Sequence, residues 1–137
     1  MRIEESLRAH LIADPAVSAA VGSRVYPVTY PQGAVMPVVV YQKTANAAEY
    51  AHDGDVGVVE ARFQISSFSD NYGEAHDVAW KVRQALAPFG RVPGDMQGTE
   101  VASIFLEAEF DMFGPTEYEP QSKYHVLSDY VFSIREQ

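Results

Sequence analysis

Val58-Val59-Glu60-Ala61-Arg62-Phe63-Gln64-Ile65-Ser66-Ser67-Phe68, followed after Ser69-Asp70-Asn71 by residues 72–87, is the stretch whose reading decides the fold. Val59, Ala61, Phe63 and Ile65 alternate with Glu60, Arg62, Gln64 and Ser66, the period of a strand with one buried face. Beyond the turn, Ala75, Val78, Ala79, Val82 and Leu86 recur three and four apart, which sets them on one apolar stripe of a helix. A strand with one apolar face and a helix with one apolar stripe bury each other, and the rest of the chain is expected to pack around that pair.

Upstream, Ile3, Leu7 and Leu11 predict an amphipathic helix over residues 2–13. Asp14-Pro15 supplies a capping side chain and a proline at the first helical position, so a second short helix runs over 15–21 and stops at Gly22. Residues 23–37, with Pro27, Pro31 and Pro37, form a stiffened connector in which Val25 and Tyr26 pair briefly at a sheet edge. Val38-Val39-Val40-Tyr41-Gln42-Lys43-Thr44 is a strand rich in β-branched residues. Residues 45–57 then read as a long projecting hairpin tip carrying Glu49, Tyr50, His52, Asp53 and Asp55, the first place to expect a contact with another molecule.

Downstream, Pro88-Phe89-Gly90 stops the helix and residues 91–98 read as loop. Ile104, Leu106, Ala108, Phe110 and Met112 alternate with Phe105, Glu107, Glu109, Asp111 and Phe113 as a third long strand. A loop over 114–122 leads to a closing strand over 123–135. The order helix, helix, strand, strand, helix, strand, strand predicts an α+β fold. Its core is a mostly antiparallel four- to five-stranded sheet with helices packed on one face, a two-layer sandwich. Arg62, Gln64, Glu107 and Glu109 mark the other face as polar, and the long strands leave two open edges that need a cover or a partner.

Composition bounds the function. At 137 residues, 47% of them hydrophobic and 21% charged, the chain has the make-up of one ordinary globular domain. No apolar run is long enough to span a membrane, and the acid at Glu4 and Glu5 argues against a signal peptide. A formal charge of −9 speaks against a basic nucleic-acid reader. The acidity is uneven: between Arg91 and Lys123 no Lys or Arg occurs, while Asp95, Glu100, Glu107, Glu109, Asp111, Glu117 and Glu119 do.

Chemistry-bearing patterns are sparse. Cysteine is absent, so thiolate ligands and thiol nucleophiles are too. Glu49, His52, Asp53 and Asp55 have ligand-like spacing but lack the closing glutamate of an EF-hand, and a solvated tip is the expected role. His10, His76 and His125 are scattered, and no serine sits in a Gly-rich elbow. No catalytic residue, cofactor or metal is expected. Tyr72, His76 and Trp80 make a second stripe on the central helix, expected to pack against the N-terminal arm, with a subunit-interface anchor at Trp80 as the alternative.

An ordered series of segments carries a resemblance. Asp14-Pro15-Ala16-Val17, Val21-Gly22-Ser23-Arg24-Val25-Tyr26-Pro27, Pro31-Gln32-Gly33-Ala34, Pro37-Val38-Val39-Val40-Tyr41, Tyr50-Ala51-His52-Asp53-Gly54 and Ala61-Arg62-Phe63-Gln64-Ile65 together resemble the DUF3168 family. These are tail completion, tail terminator or head–tail joining proteins of long-tailed phages and gene transfer agents. The resemblance implies one tail-terminator-like α+β domain over 1–137 and a structural, non-enzymatic virion protein at the head–tail interface. It also implies a homo-oligomeric, commonly hexameric ring that ends the tail tube and meets both the tube protein and a head–tail connector, adaptor or stopper protein. DNA would pass through the ring without specific binding, and no membrane is involved. On that reading Glu49, Tyr50, His52, Asp53 and Asp55 reach a neighbour, and Glu107, Glu109 and Asp111, taken to share a strand face, line the lumen. The competing class is a small-molecule enzyme or binding module on a dimeric α+β barrel, which needs an enclosed pocket with convergent polar groups.

Overall fold

A computed structural model describes residues 2–51, 54–90, 92–114 and 123–135. In chain order they form α1 (Ile3–Ala13), α2 (Pro15–Val21), β1 (Val25–Pro27), β2 (Val38–Ala51), β3 (Gly54–Ser69), α3 (Tyr72–Leu86), a 3-10 turn (Ala87–Gly90), β4 (Gly94–Met96), β5 (Thr99–Gly114) and β6 (Lys123–Arg135). The fold is α+β. Its sheet has the order β1-β2-β3-β6-β5-β4, with β1 parallel to β2 and every other pairing antiparallel. The expected four or five antiparallel strands thus become six in a mixed sheet. The two short edge strands, β1 and β4, show too little period to be counted from sequence alone.

Helix starts follow their capping chemistry. Asp14 Oδ2 accepts from the Val17 N–H at 3.0 Å and opens α2. Asn71 Oδ1 accepts from the Glu74 N–H at 3.0 Å to open α3, and the Ser69 hydroxyl donates to Glu74 Oε1 at 2.7 Å. Gly22, at φ 59, takes the positive φ that ends α2 without a Cβ penalty.

All three helices cover one sheet face. Ile3, Leu7 and Leu11 of α1, Val17 and Val21 of α2, and Val78, Val82 and Leu86 of α3 are buried with Val39, Tyr41, Phe63, Ile65, Phe132 and Ile134 of the sheet. Phe63 of β3 and Phe132 of β6 pack with tilted rings, 5.0 Å between centres. Each such side chain contributes about 1.5–3 kcal/mol on burial, which makes this layer the main source of stability. Ser6 and Thr99, both buried, share a 2.5 Å hydroxyl contact that ties α1 to the start of β5.

The opposite face is not uniformly polar, contrary to expectation. Glu60, Arg62 and Gln64 do stand there, with Arg62 paired to Glu60 and Glu107. At the β2 end, however, the connector after β1 folds back so that Tyr30 joins Val38, Val40 and Phe68 in a second buried cluster, with Tyr26, Ala34 and Met36 packed against it. The connector thus forms a lid over this end of the sheet through Tyr26, Tyr30, Ala34 and Met36.

Candidate assembly surface

The sheet carries two free strand edges. β1 pairs with only Val39–Tyr41 of β2, and β4 with only Thr99–Val101 of β5. Among the described residues, no strand pairs with the outer side of residues 42–51 or of residues 102–114. The second edge also carries the largest run of exposed apolar side chains among the described residues: Phe105 is 59% exposed, Phe110 47%, Met112 48% and Phe113 63%. A large aromatic left in water gives up burial free energy that its neighbours on β3 and β6 collect.

Register explains which side chain goes where. β5 carries irregularities between Val101 and Ser103 and between Leu106 and Ala108. The second shift breaks the alternation seen in the sequence. Glu107 points to the helix-free face and pairs with Arg62, which alternates with the buried Ala61 and Phe63. Glu109 and Asp111 point to the helix side, where Glu109 Oε1 accepts from the Ser128 hydroxyl at 3.3 Å. The single face expected for Glu107, Glu109 and Asp111 is therefore not observed. Nothing in the residue types around Ala108 signals the bulge.

Asp111 clasps β5 to α3. The Tyr72 hydroxyl donates to Asp111 Oδ2 at 2.7 Å, and His76 Nε2 lies 2.7 Å from Asp111 Oδ1, an ion pair when the ring is protonated. The Tyr72 hydroxyl, helped by His76, holds the Asp111 carboxyl below the usual range, and the same bond raises the Tyr72 phenol. Tyr124 joins edge-on to Tyr72 at 5.7 Å and packs on Phe113 at 4.8 Å. Tyr72 and His76 thus face β5, and Trp80 is 56% exposed with the Arg83 guanidinium 5.9 Å from its ring centre. The expected packing of this stripe on the N-terminal arm does not occur. The helix pair α1 and α2 flanks α3 on its other side.

Between the end of α3 and β5 lies an open groove of about 250 Å3, lined by Arg83, Leu86, Ala87, Ile104, Phe105, Leu106 and Tyr130. A second depression of about 170 Å3 on the helix-free face is lined by Thr44, Arg62, Gln64, Glu107 and Asp129, among others. Neither holds a nucleophile beside a base, the arrangement that covalent catalysis requires. The hairpin tip differs from expectation: β2 runs to Ala51 and β3 starts at Gly54, so the backbones of Glu49, Tyr50 and Asp55 belong to the ladder. His52 and Asp53 lie outside the described residues. Ala, Asn, Gly and Asp are poor strand formers, and cross-strand pairing overrides them here.

Comparison with known proteins gives a consistent picture. The profile of the family described as tail completion protein gp17 matches residues 5–117. A chain of a solved structure described as the virion of a native gene transfer agent (GTA) particle superposes with a TM-score of 0.63 at 18% identity, covering 96% of this chain and 94% of that one. At that identity the likeness speaks for the fold. Comparison with curated proteins gave no match.

Proposed function

We propose a role from one premise: this chain belongs to the tail completion protein gp17 family. It is a structural tail protein of a phage or phage-like virion. The finer reading is that copies of the chain form a ring, with six-fold symmetry, at the head-proximal end of the tail. The ring ends the tube and offers the head connector or stopper a docking surface. The whole chain acts as one domain, and its work is structural rather than catalytic.

One observation carries this reading: the free edge of β5 over residues 102–114, flanked by exposed Phe105, Phe110, Met112 and Phe113. Long unpaired edges are templates for another strand, and natural proteins cover them or use them. The solved chain of the same fold belongs to a structure described as the virion of a native gene transfer agent particle, which supports the reading that this chain works in an assembly. We place the acidic end of β5, with Glu107, Glu109 and Asp111, at the border of the central channel. Those acids occur on both faces of the strand, so its end as a whole, and not one face, borders the channel. With a formal charge of −9, such a channel lets DNA slide without being held. The hairpin tip bearing Glu49, Tyr50, His52, Asp53 and Asp55 reaches toward the next ring.

Negative-stain microscopy with purified tail tubes tests the role. The expected result is a ring of the protein at one end of each tube and arrested tube growth. A stable dimer with no affinity for tubes would instead support the barrel-type enzyme or binding module.

A further inference from the structure

We propose that the free edge of β5 in one copy pairs, antiparallel, with the free edge of β2 in the next copy, so that the sheets of neighbouring subunits run into one another. The proposal rests on the ring reading and names the contact that would build it.

The topology supplies the argument. The four long strands lie in the order β2-β3-β6-β5, each antiparallel to its neighbour. Three reversals leave β5 opposed in direction to β2. A copy placed alongside without being inverted therefore presents a β2 that runs against β5, and the antiparallel ladder continues unbroken. The two edges differ, so the contact is head-to-tail and generates a ring or helix rather than a closed pair. Self-pairing of two β5 edges would set Glu107, Glu109 and Asp111 against their own copies, which cross-strand repulsion disfavours. The free part of β2 offers Lys43 and Glu49 as its only charges, and Lys43 is already held by Glu4 at 2.5 Å.

The capping strands set the register. β1 blocks β2 at Val39–Tyr41, while β4 blocks β5 at Thr99–Val101, at the opposite end of the sheet. With the sheets level, Gln42 stands in the row of Gln64, Asp129 and Ala108, and the β1 of the incoming copy would collide with β5 beyond that row. Sliding the incoming copy by about six residues, roughly 20 Å, clears both caps and brings Gln42 near Met112 to Gly114. Spread over four strands spaced about 4.8 Å apart, that slide gives a strand tilt of roughly 45°, close to the tilt of closed barrels. The blocked ends of the two strands therefore favour a stagger of the kind that closure needs.

The chain has no cysteine, so introduced thiols report cleanly. Gln42→Cys and Met112→Cys, combined in one chain and treated with a short thiol-reactive cross-linker after assembly on tubes, are expected to give a ladder of linked chains up to the closed ring. Each single variant is expected to stay unlinked. Phe110→Cys replaces Met112→Cys if the latter fails to fold by thermal melting. A ring that forms but gives no ladder, or dimers linked through Met112→Cys alone, overturns the pairing and leaves the ring standing. A chain that stays monomeric with and without tubes overturns both.

Discussion

One apolar row crosses the helix-free face of the sheet, and its two ends are treated differently. At the β2 end, Val38, Val40 and Phe68 lie under the chain's own connector, with Tyr30 edge-on to Phe68 at 5.1 Å and His125 stacked on Phe68 at 4.1 Å. At the β5 end, Met112 and Phe110, the cross-strand partners of His125 and Leu127, are about half exposed, and among the described residues no connector folds across them. The same kind of side chain is sealed where the chain provides a lid and left open where it does not. A cover over the open end would be favourable, and the proposed contact between copies supplies one.

The largest test of this contrast lies beneath both ends. Phe132→Ala, in the fully buried centre of β6, is expected to cost about 3–5 kcal/mol in denaturant unfolding, because the cavity cannot collapse between α3 and the sheet. A cost under about 1 kcal/mol would mean that the helix layer is not the stabilising one.

The covered end carries a pH signature. His125 Nε2 is buried without a hydrogen-bond partner, and burial lowers the ring's pKa from 6.5 to about 4. The unfolded chain takes up its proton as the pH falls below 6.5, while the folded chain resists until about 4. Stability present above pH 6.5 is thus lost as the pH drops through that window. After allowance for the partial access of solvent, the loss is about 1–2 kcal/mol. His125→Phe, which keeps the stack on Phe68, is expected to flatten this part of the pH–stability curve. An unchanged slope between pH 6.5 and 4 would show that His125 is not shielded as its stacking implies.

Much of this contrast was legible in the residues, and some was not. Val59, Ala61, Phe63 and Ile65 announce the buried face of β3 by strict alternation, and all four are buried. Asp14-Pro15 announces the start of α2 by capping chemistry that works locally. The strand ends were hidden, because residues 45–51 and 54–57 are poor in strand formers and only the pairing of β2 with β3 makes them extended. The bulge beside Ala108 was hidden for a different reason: alternation in the sequence persists through it, and only the register to β6 reveals the change of face. The exposure of Trp80 depends on where α1 and α2 end up, which is a tertiary fact. A family resemblance pointed to an assembly protein, but the residues that form the open edge became visible only with the sheet order.

Two smaller effects sharpen the comparison. Asp14→Ala removes the α2 cap and is expected to cost about 1 kcal/mol in thermal or denaturant unfolding, with no effect on assembly. Phe110→Ala at the bare end is expected to change the unfolding free energy of the monomer by less than about 0.5 kcal/mol while weakening tube-end capping about tenfold. A large stability loss for Phe110→Ala with intact capping would reverse the roles assigned to the two ends.

Amide hydrogen exchange on the free and the tube-assembled protein reads the pairing of the β5 edge itself. The account predicts that outward-facing amides over residues 102–114 of β5 exchange fast in the free chain and become protected on assembly, together with those over 42–51 of β2. Amides of β3, already paired on both sides, should not change. If β5 exchanged as fast in the assembled ring as in the free chain, its edge would be finished by no one, and the account would be wrong.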